Sequence, residues 1–332
     1  MNKFTAPLIS TALALAPVAV AMAKIPPLKL DVEDITVSGL SAGGYMANQM
    51  HIAYSDWISG VGIIAAGPYY CAKGDITTAL SQCVDKEEPA INLDELSAVA
   101  EQQAQQNTIA PLANLKNDKV WLFHGTRDTR VSASATNKLA QQYARWVSAE
   151  NIKYVNDKPI AHLFPTLNHG GQCMVSEAPF IGRCDYDAAG DMLSFLLDDI
   201  KPASTKTSGR VISYSQKSLA GSDAKTLADT GYAYVPKQCE EGETCHVHVS
   251  FHGCNQYAEA VDMAYVEQTG LNNWADSNNL VVVYPQTRKS LFMPLNPQGC
   301  WDWWGYTGDD YATREGKQLK AVRKIVLGLA SN

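Results

Sequence analysis

The stretch Gly39-Leu40-Ser41-Ala42-Gly43 constrains this chain more than any other. Ile35-Thr36-Val37 ahead of it is β-branched and reads as strand. Gly44 to Met50 behind it reads as helix, with Met46 and Met50 one turn apart. A strand that passes straight into a helix needs a sharp turn at Ser41, and that turn lifts the hydroxyl clear of its neighbours. Gly39 and Gly43 flank it because a Cβ at either position would strike adjoining backbone. The helix start also leaves amide N–H groups without intrahelical acceptors, so the N–H of Ala42 is a candidate donor to a developing oxyanion. Ser41 is therefore the candidate nucleophile. The rival reading is a glycine-rich turn that carries a serine by chance.

Further along, Val61-Gly62-Ile63-Ile64-Ala65-Ala66 is a continuous apolar run, the pattern of a parallel strand buried on both faces. A polar helix is expected over 94–106. A strand over 120–123 empties into His124-Gly125-Thr126-Arg127-Asp128. A carboxylate just past a buried strand lies at the edge where α/β enzymes keep their chemistry, so Asp128 is the candidate that orients a base. Its other role would be a turn or a cap for the helix expected over 133–150. A strand over 160–164 then opens into Pro165-Thr166-Leu167-Asn168-His169-Gly170-Gly171, which puts His169 on a glycine-flanked loop. His51 and His162 read as poorer bases because they fall inside a predicted helix and a predicted strand. The order Ser41, Asp128, His169, each beyond a separate strand, is that of α/β-hydrolases.

Met1-Asn2-Lys3, an apolar run from Leu8 to Val20 and the A-x-A pattern Ala21-Met22-Ala23 together read as a secretory signal over 1–23. Residues 24–332 are then expected to be soluble outside the cytoplasm, in the periplasm or the medium. Eight cysteines in an exported chain suggest disulfides. Sequence neighbours suggest Cys71 with Cys83, Cys173 with Cys184 and Cys239 with Cys245, which leaves Cys254 and Cys300, although eight cysteines allow 105 pairings. His246-Val247-His248 is a weak ligand pair, and no metal or other cofactor is expected. A net charge of −7 with no basic stripe argues against a nucleic-acid partner, and gives no attraction to anionic lipid. A monomer is the expectation.

Residues 202–209 read as a connection. A two-domain chain would break there, but neither half holds a complete site. The loop fit to supply a second oxyanion donor, His252-Gly253-Cys254, comes late, whereas in the usual α/β-hydrolase order it precedes the nucleophile. The simplest reading is a circular permutation, with both halves in one mostly parallel sheet flanked by helices.

Two sets of residues now carry a resemblance. Gly39-Leu40-Ser41-Ala42-Gly43-Gly44-Tyr45-Met46-Ala47 resembles the lipase box of polyhydroxybutyrate depolymerases. His252-Gly253-Cys254-Asn255-Gln256, Val283-Tyr284-Pro285 and the stretch from Asn296-Pro297 through Cys300-Trp301-Asp302-Trp303 resemble the same esterase family. The likeness covers most of residues 24–332. It implies a secreted, circularly permuted, single-domain α/β-hydrolase, stabilised by disulfides, that hydrolyses short-chain polyhydroxyalkanoate or its oligomers. It puts the triad on Ser41, Asp128 and His169 and the oxyanion donors on the N–H groups of Ala42 and Cys254. Many extracellular relatives carry an added polymer-binding domain, and none is expected here.

Trp301, Trp303 and Trp304 crowd one loop beside the presumed Cys254–Cys300 tie, and at least one is expected to line an acyl groove or contact polymer. Core packing is the other role open to them. The competing functional readings are a feruloyl or acetyl-xylan esterase, which uses similar motifs, and a hydrolase-fold binding protein without turnover.

Overall fold

A computed structural model of the chain describes residues 28–85 and 90–331. The expected signal segment lies outside the described residues. Strands are numbered in chain order: β1 (Ile35–Leu40), β2 (Ile58–Ile64), β3 (Lys119–Phe123), β4 (Ile152–Val155), β5 (Phe164–Thr166), β6 (Gly171–Gln172), β7 (Ile181–Arg183), β8 (Arg210–Ser215), β9 (Thr230–Val235), β10 (His246–Phe251) and β11 (Leu280–Tyr284).

Eight of them form one sheet in the order β4-β3-β2-β1-β10-β11-β9-β8. The six strands from β4 to β11 in that order run parallel, and β9 and β8 close the far edge antiparallel. Strands on both sides of residues 202–209 therefore share one sheet. The strands that follow the connection lie on the opposite side of β1 from β2, β3 and β4, which is the arrangement of a permuted α/β-hydrolase. Every residue of β1 is buried, because the strand has a neighbour on each edge and is covered on both faces. Its two hydroxyls, Thr36 and Ser38, are satisfied by the ring of His248 on β10 at 2.8 and 2.7 Å. His248 thus spends both ring nitrogens on its neighbour strand.

The helix Ala42–Ala53 leaves β1 directly and is buried along its whole length. The helix Ala188–Leu196 begins at Asp187, whose carboxylate caps Gly190 N–H. The closing helix Lys317–Ala330 buries Leu319, Val322, Ile325, Val326 and Leu329, the amphipathic pattern of its sequence. Four disulfides join Cys71 to Cys83, Cys173 to Cys184, Cys239 to Cys245 and Cys254 to Cys300. Among the described residues no helix is long and apolar enough to cross a membrane.

Three local expectations change. The helix expected over 133–150 ends at Tyr143, because the chain turns to bond Ser148 N–H to Lys116 O and start β4 at Ile152. The stretch from Ala264 to Ser277, which reads as one helix in sequence, forms two, Ala264–Gln268 and Leu271–Ser277, broken at Gly270 with φ of 83°. The strand expected over 160–164 lies later, over Phe164–Thr166, and pairs with β7 in a small separate sheet of β5, β7 and β6. The strand that borders β3 in the main sheet is β4.

Candidate active site

Ser41 sits between β1 and its helix with φ of 58° and ψ of −123°, a conformation that costs a non-glycine residue and is held by the elements on either side. Its N–H bonds Ile64 O at 2.9 Å, and its own carbonyl accepts from Tyr45 N–H at 2.9 Å. The glycines are needed as the turn requires. A Cβ on Gly39 would lie 2.1 Å from Gly43 O, and one on Gly43 would lie 2.2 Å from Phe251 O. The elbow is thus pressed against both its own helix and the end of β10. Ser41 remains partly exposed while β1 behind it is buried.

The end of β10 brings the loop His252-Gly253-Cys254 to the elbow. A Cβ built on Gly253 would lie 3.6 Å from Ser41 Cβ and 3.4 Å from Leu40 O. Neither the N–H of Ala42 nor that of Cys254 has an acceptor among the described residues, whereas those of Gly253 and Asn255 are spent on Gln256 Oε1 and Gln298 O, each at 2.7 Å. The Cys254–Cys300 disulfide ties this loop to the aromatic segment.

Asp128 follows β3. Its Oδ1 accepts the N–H groups of Arg130 and Val131 at 2.8 and 3.0 Å, and its Oδ2 accepts from His162 Nδ1 at 2.7 Å. Burial alone would raise the Asp128 pKa. The hydrogen bond and charge of His162, with the two backbone N–H groups, outweigh it and hold the carboxyl below its ordinary value. The His162 Nδ1–H therefore faces a carboxylate, which leaves Nε2 as the nitrogen able to take a proton.

This corrects the expectation for His169. That residue is exposed, and its backbone N–H bonds Thr166 Oγ1 at 2.9 Å. The Asp128 carboxylate is already occupied by His162. Because β5 begins at Phe164, His162 lies in the loop before it and not inside a strand. A signal for this was present: Ile152-Lys153-Tyr154-Val155 alternates in the manner of a strand, and His162 is the first histidine after it.

The tryptophans divide. Trp301 has no exposed surface and packs edge-on against Phe251 with ring centroids 5.0 Å apart, so it is a core residue and lines no groove. Trp303 stacks on Tyr45 of the elbow helix at 4.1 Å and is 6% exposed. Trp304 alone of the three is half-buried, packed against the core with part of its surface in solvent. Asp302 pins this segment. Its carboxylate accepts from the N–H groups of Gly305, Tyr306 and Thr307 and from the Thr307 hydroxyl, while Asp302 O accepts from Gln49 Nε2 of the elbow helix at 2.9 Å.

A serine raised at a strand-to-helix elbow, over a mostly parallel sheet whose next strands deliver an Asp–His pair, defines a serine hydrolase of the α/β-hydrolase fold. A family model described as the prolyl oligopeptidase family matches residues 18–184. The chain is 39% identical to the poly(3-hydroxybutyrate) depolymerase of Delftia acidovorans, over 92% of this chain and 61% of that protein's length. It is 35% identical to the polyhydroxybutyrate depolymerase of Talaromyces funiculosus, over 96% of this chain and 97% of that protein. The crystal structure of the PHB depolymerase from Penicillium funiculosum superposes with a TM-score of 0.86 at 33% identity, covering 92% of this chain and 98% of that one. A PHB depolymerase complexed with an R3HB trimer matches to the same extent. The chain belongs to the polyhydroxybutyrate depolymerase family of carboxylic ester hydrolases.

Proposed function

We propose that this protein is a secreted esterase that cleaves short-chain polyhydroxyalkanoate, polyhydroxybutyrate in particular, or its oligomers, through a Ser41–His162–Asp128 acyl-enzyme mechanism. The observation that carries the reading is the Ser41 elbow set against the Gly253–Cys254 loop, with Asp128 and His162 already hydrogen-bonded to each other. His162 Nε2 takes the proton as Ser41 Oγ attacks the ester carbonyl. Asp128 keeps the other ring nitrogen protonated and stabilises the imidazolium. The oxyanion is received by the N–H groups of Ala42 and Cys254. His162 gives its proton to the departing alkoxide oxygen, and water, deprotonated by the same imidazole, then attacks the acyl group, which leaves Ser41 as that proton returns to its Oγ.

The names of the relatives support the polyester substrate. A second support is exposed apolar surface on a loop tied to Cys300. Leu291, Phe292, Met293 and Leu295 are all more than half exposed, and a backbone bridge between Ser290 and Asn296 closes the loop that carries them. Asn296 also bonds the carbonyl and N–H of Cys300, the disulfide partner of Cys254. Exposed apolar surface of this kind suits a solid, apolar-faced polymer better than a hydrated sugar. Four disulfides fit an oxidising compartment outside the cytoplasm.

The test compares hydrolysis of polyhydroxybutyrate film, soluble hydroxybutyrate oligomers and acylated sugars by the purified protein, with Ser41→Ala as control. Hydrolysis of film or oligomers that disappears in Ser41→Ala is the expected result. Preference for acylated sugars would replace the substrate class, and activity retained by Ser41→Ala would end the mechanism.

A further inference from the structure

The peptide that joins Gly253 to Cys254 is held from its carbonyl side by a neighbouring ring. Gly253 O lies 2.7 Å from His252 Nδ1. The other ring nitrogen, Nε2, lies 3.2 Å from Thr287 N and 3.3 Å from Thr287 Oγ1. The Thr287 hydroxyl proton is committed to Gly299 O, and a backbone N–H can only donate. Nε2 is therefore an acceptor and the ring proton sits on Nδ1, where it donates to Gly253 O. The ring has no exposed surface, and burial pushes its pKa down to about 4, so it stays neutral near pH 7.

The Gly253–Cys254 bond is trans, so its N–H points away from its carbonyl. Flipping this one peptide would exchange the two groups and set a carbonyl oxygen where a donor is needed. Gly253, lacking a Cβ, does little to oppose such a flip. The N–H groups on either side are tied down, on Gln256 Oε1 and Gln298 O, while that of Cys254 has no acceptor among the described residues.

We propose that His252 is a positioning residue for ester hydrolysis: as a fixed Nδ1–H donor to Gly253 O, it holds the Gly253–Cys254 peptide in the orientation that presents the Cys254 N–H to the oxyanion formed on Ser41. The proposal rests on the serine-esterase reading above. His252 touches neither substrate nor nucleophile. It acts through the peptide, and its hydrogen bond also polarises that peptide and strengthens the N–H as a donor.

The experiment uses two variants of the full chain, a soluble short-chain ester and a boronate that forms a tetrahedral adduct with the serine. His252→Gln places its polar group near the Nε2 position and loses the donor to Gly253 O. His252→Asn keeps an amide nitrogen at the Nδ1 position. Losing the oriented N–H should lower kcat about 10²-fold in His252→Gln with KM little changed, and weaken the boronate by a similar factor. His252→Asn should recover most of both. Equal losses in the two variants, tracking a fall in thermal stability, would reduce His252 to packing and overturn the proposal. A measurement without substitution covers the case in which the variants do not fold. Nitrogen-15 NMR of the histidine-labelled wild-type protein should find the His252 proton on Nδ1 throughout pH 5 to 9, and a proton on Nε2 would overturn it. A wild-type protein without esterase activity, or an undiminished Ser41→Ala, would instead strike the underlying reading, whatever the ring tautomer proves to be.

Discussion

Asp128 Oδ2 and His162 Nδ1 lie 2.7 Å apart, with side chains 1% and 7% exposed. A carboxylate so enclosed, its other oxygen taken by two backbone N–H groups, has one use for its remaining acceptor, and His162 supplies it. The base in the proposed mechanism is chosen by this contact and not by glycines in a loop.

His162→Ala should therefore lower ester turnover by about 10⁴-fold or more, as loss of the base does in a serine hydrolase. His169→Ala should leave turnover within about threefold, as expected for a surface side chain with no part in the transition state. Initial rates of the two purified variants on a soluble ester decide the matter. The reverse ranking would restore His169 and discard the pair.

The Cys254–Cys300 disulfide closes a 46-residue separation, whereas Cys239–Cys245 closes 6. On the chain-entropy model the first should contribute about 4 kcal/mol to stability and the second about 2 kcal/mol. Urea unfolding of the two paired Cys→Ser variants measures this. Activity should fall as well in Cys254→Ser/Cys300→Ser at temperatures where it stays folded, because the loop bearing the proposed second oxyanion donor is released. Cys239→Ser/Cys245→Ser should keep its activity while folded. Equal activity in both would show that the tie does not hold that loop.

Acid should weaken the fold through its buried imidazoles. Burial lowers the pKa of His248 to about 3 and of His252 to about 4. The unfolded chain takes up both protons near the ordinary value of about 6.5, so stability is full above that pH and declines below it. Each group should cost about 1.4 kcal/mol per pH unit from there down toward its folded value. Asp128, held below its ordinary value, contributes stability above a pH of about 3.9 and loses it only as the pH falls further. Urea midpoints between pH 7 and pH 4.5 should fall steadily, and flat midpoints across that range would contradict the buried neutral rings.

Phe292 and Met293 are 83% and 89% exposed. Phe292→Ser/Met293→Ser should slow erosion of polymer film severalfold while hydrolysis of soluble oligomers stays unchanged, since an apolar loop acts on adsorption and not on the reacting bond. A parallel loss on both substrates would move the loop from adsorption to catalysis.

Much of this was legible because some constraints are local. The elbow announces itself, since two glycines flanking a serine between a strand and a helix satisfy a steric demand contained within a few residues. The late His252-Gly253-Cys254 motif disclosed the permutation, because a hydrolase needs a second amide and the sequence ahead of Ser41 offers no such loop. The base was not legible in the same way. The apolar run over 160–164 looks like a strand, yet most of it is a buried loop, and only tertiary packing separates the two. β4 has partly buried residues throughout, so it lacks the continuous apolar signal of β2 and β3. Trp301 and Trp304 differ by the position of one loop in space, which spacing along the chain does not encode.

The interleaving of β1 with β10 has a consequence for biosynthesis. Synthesis runs from the N-terminus, so Ser41, Asp128 and His162 all emerge before the Gly253–Cys254 peptide exists. A chain that carries its nucleophile and relay but not yet β10 lacks a strand beside the elbow and one half of its anion cradle. On the proposed mechanism such a chain is an incomplete esterase, because the last third of the sequence supplies the strand that enters the middle of the sheet beside β1.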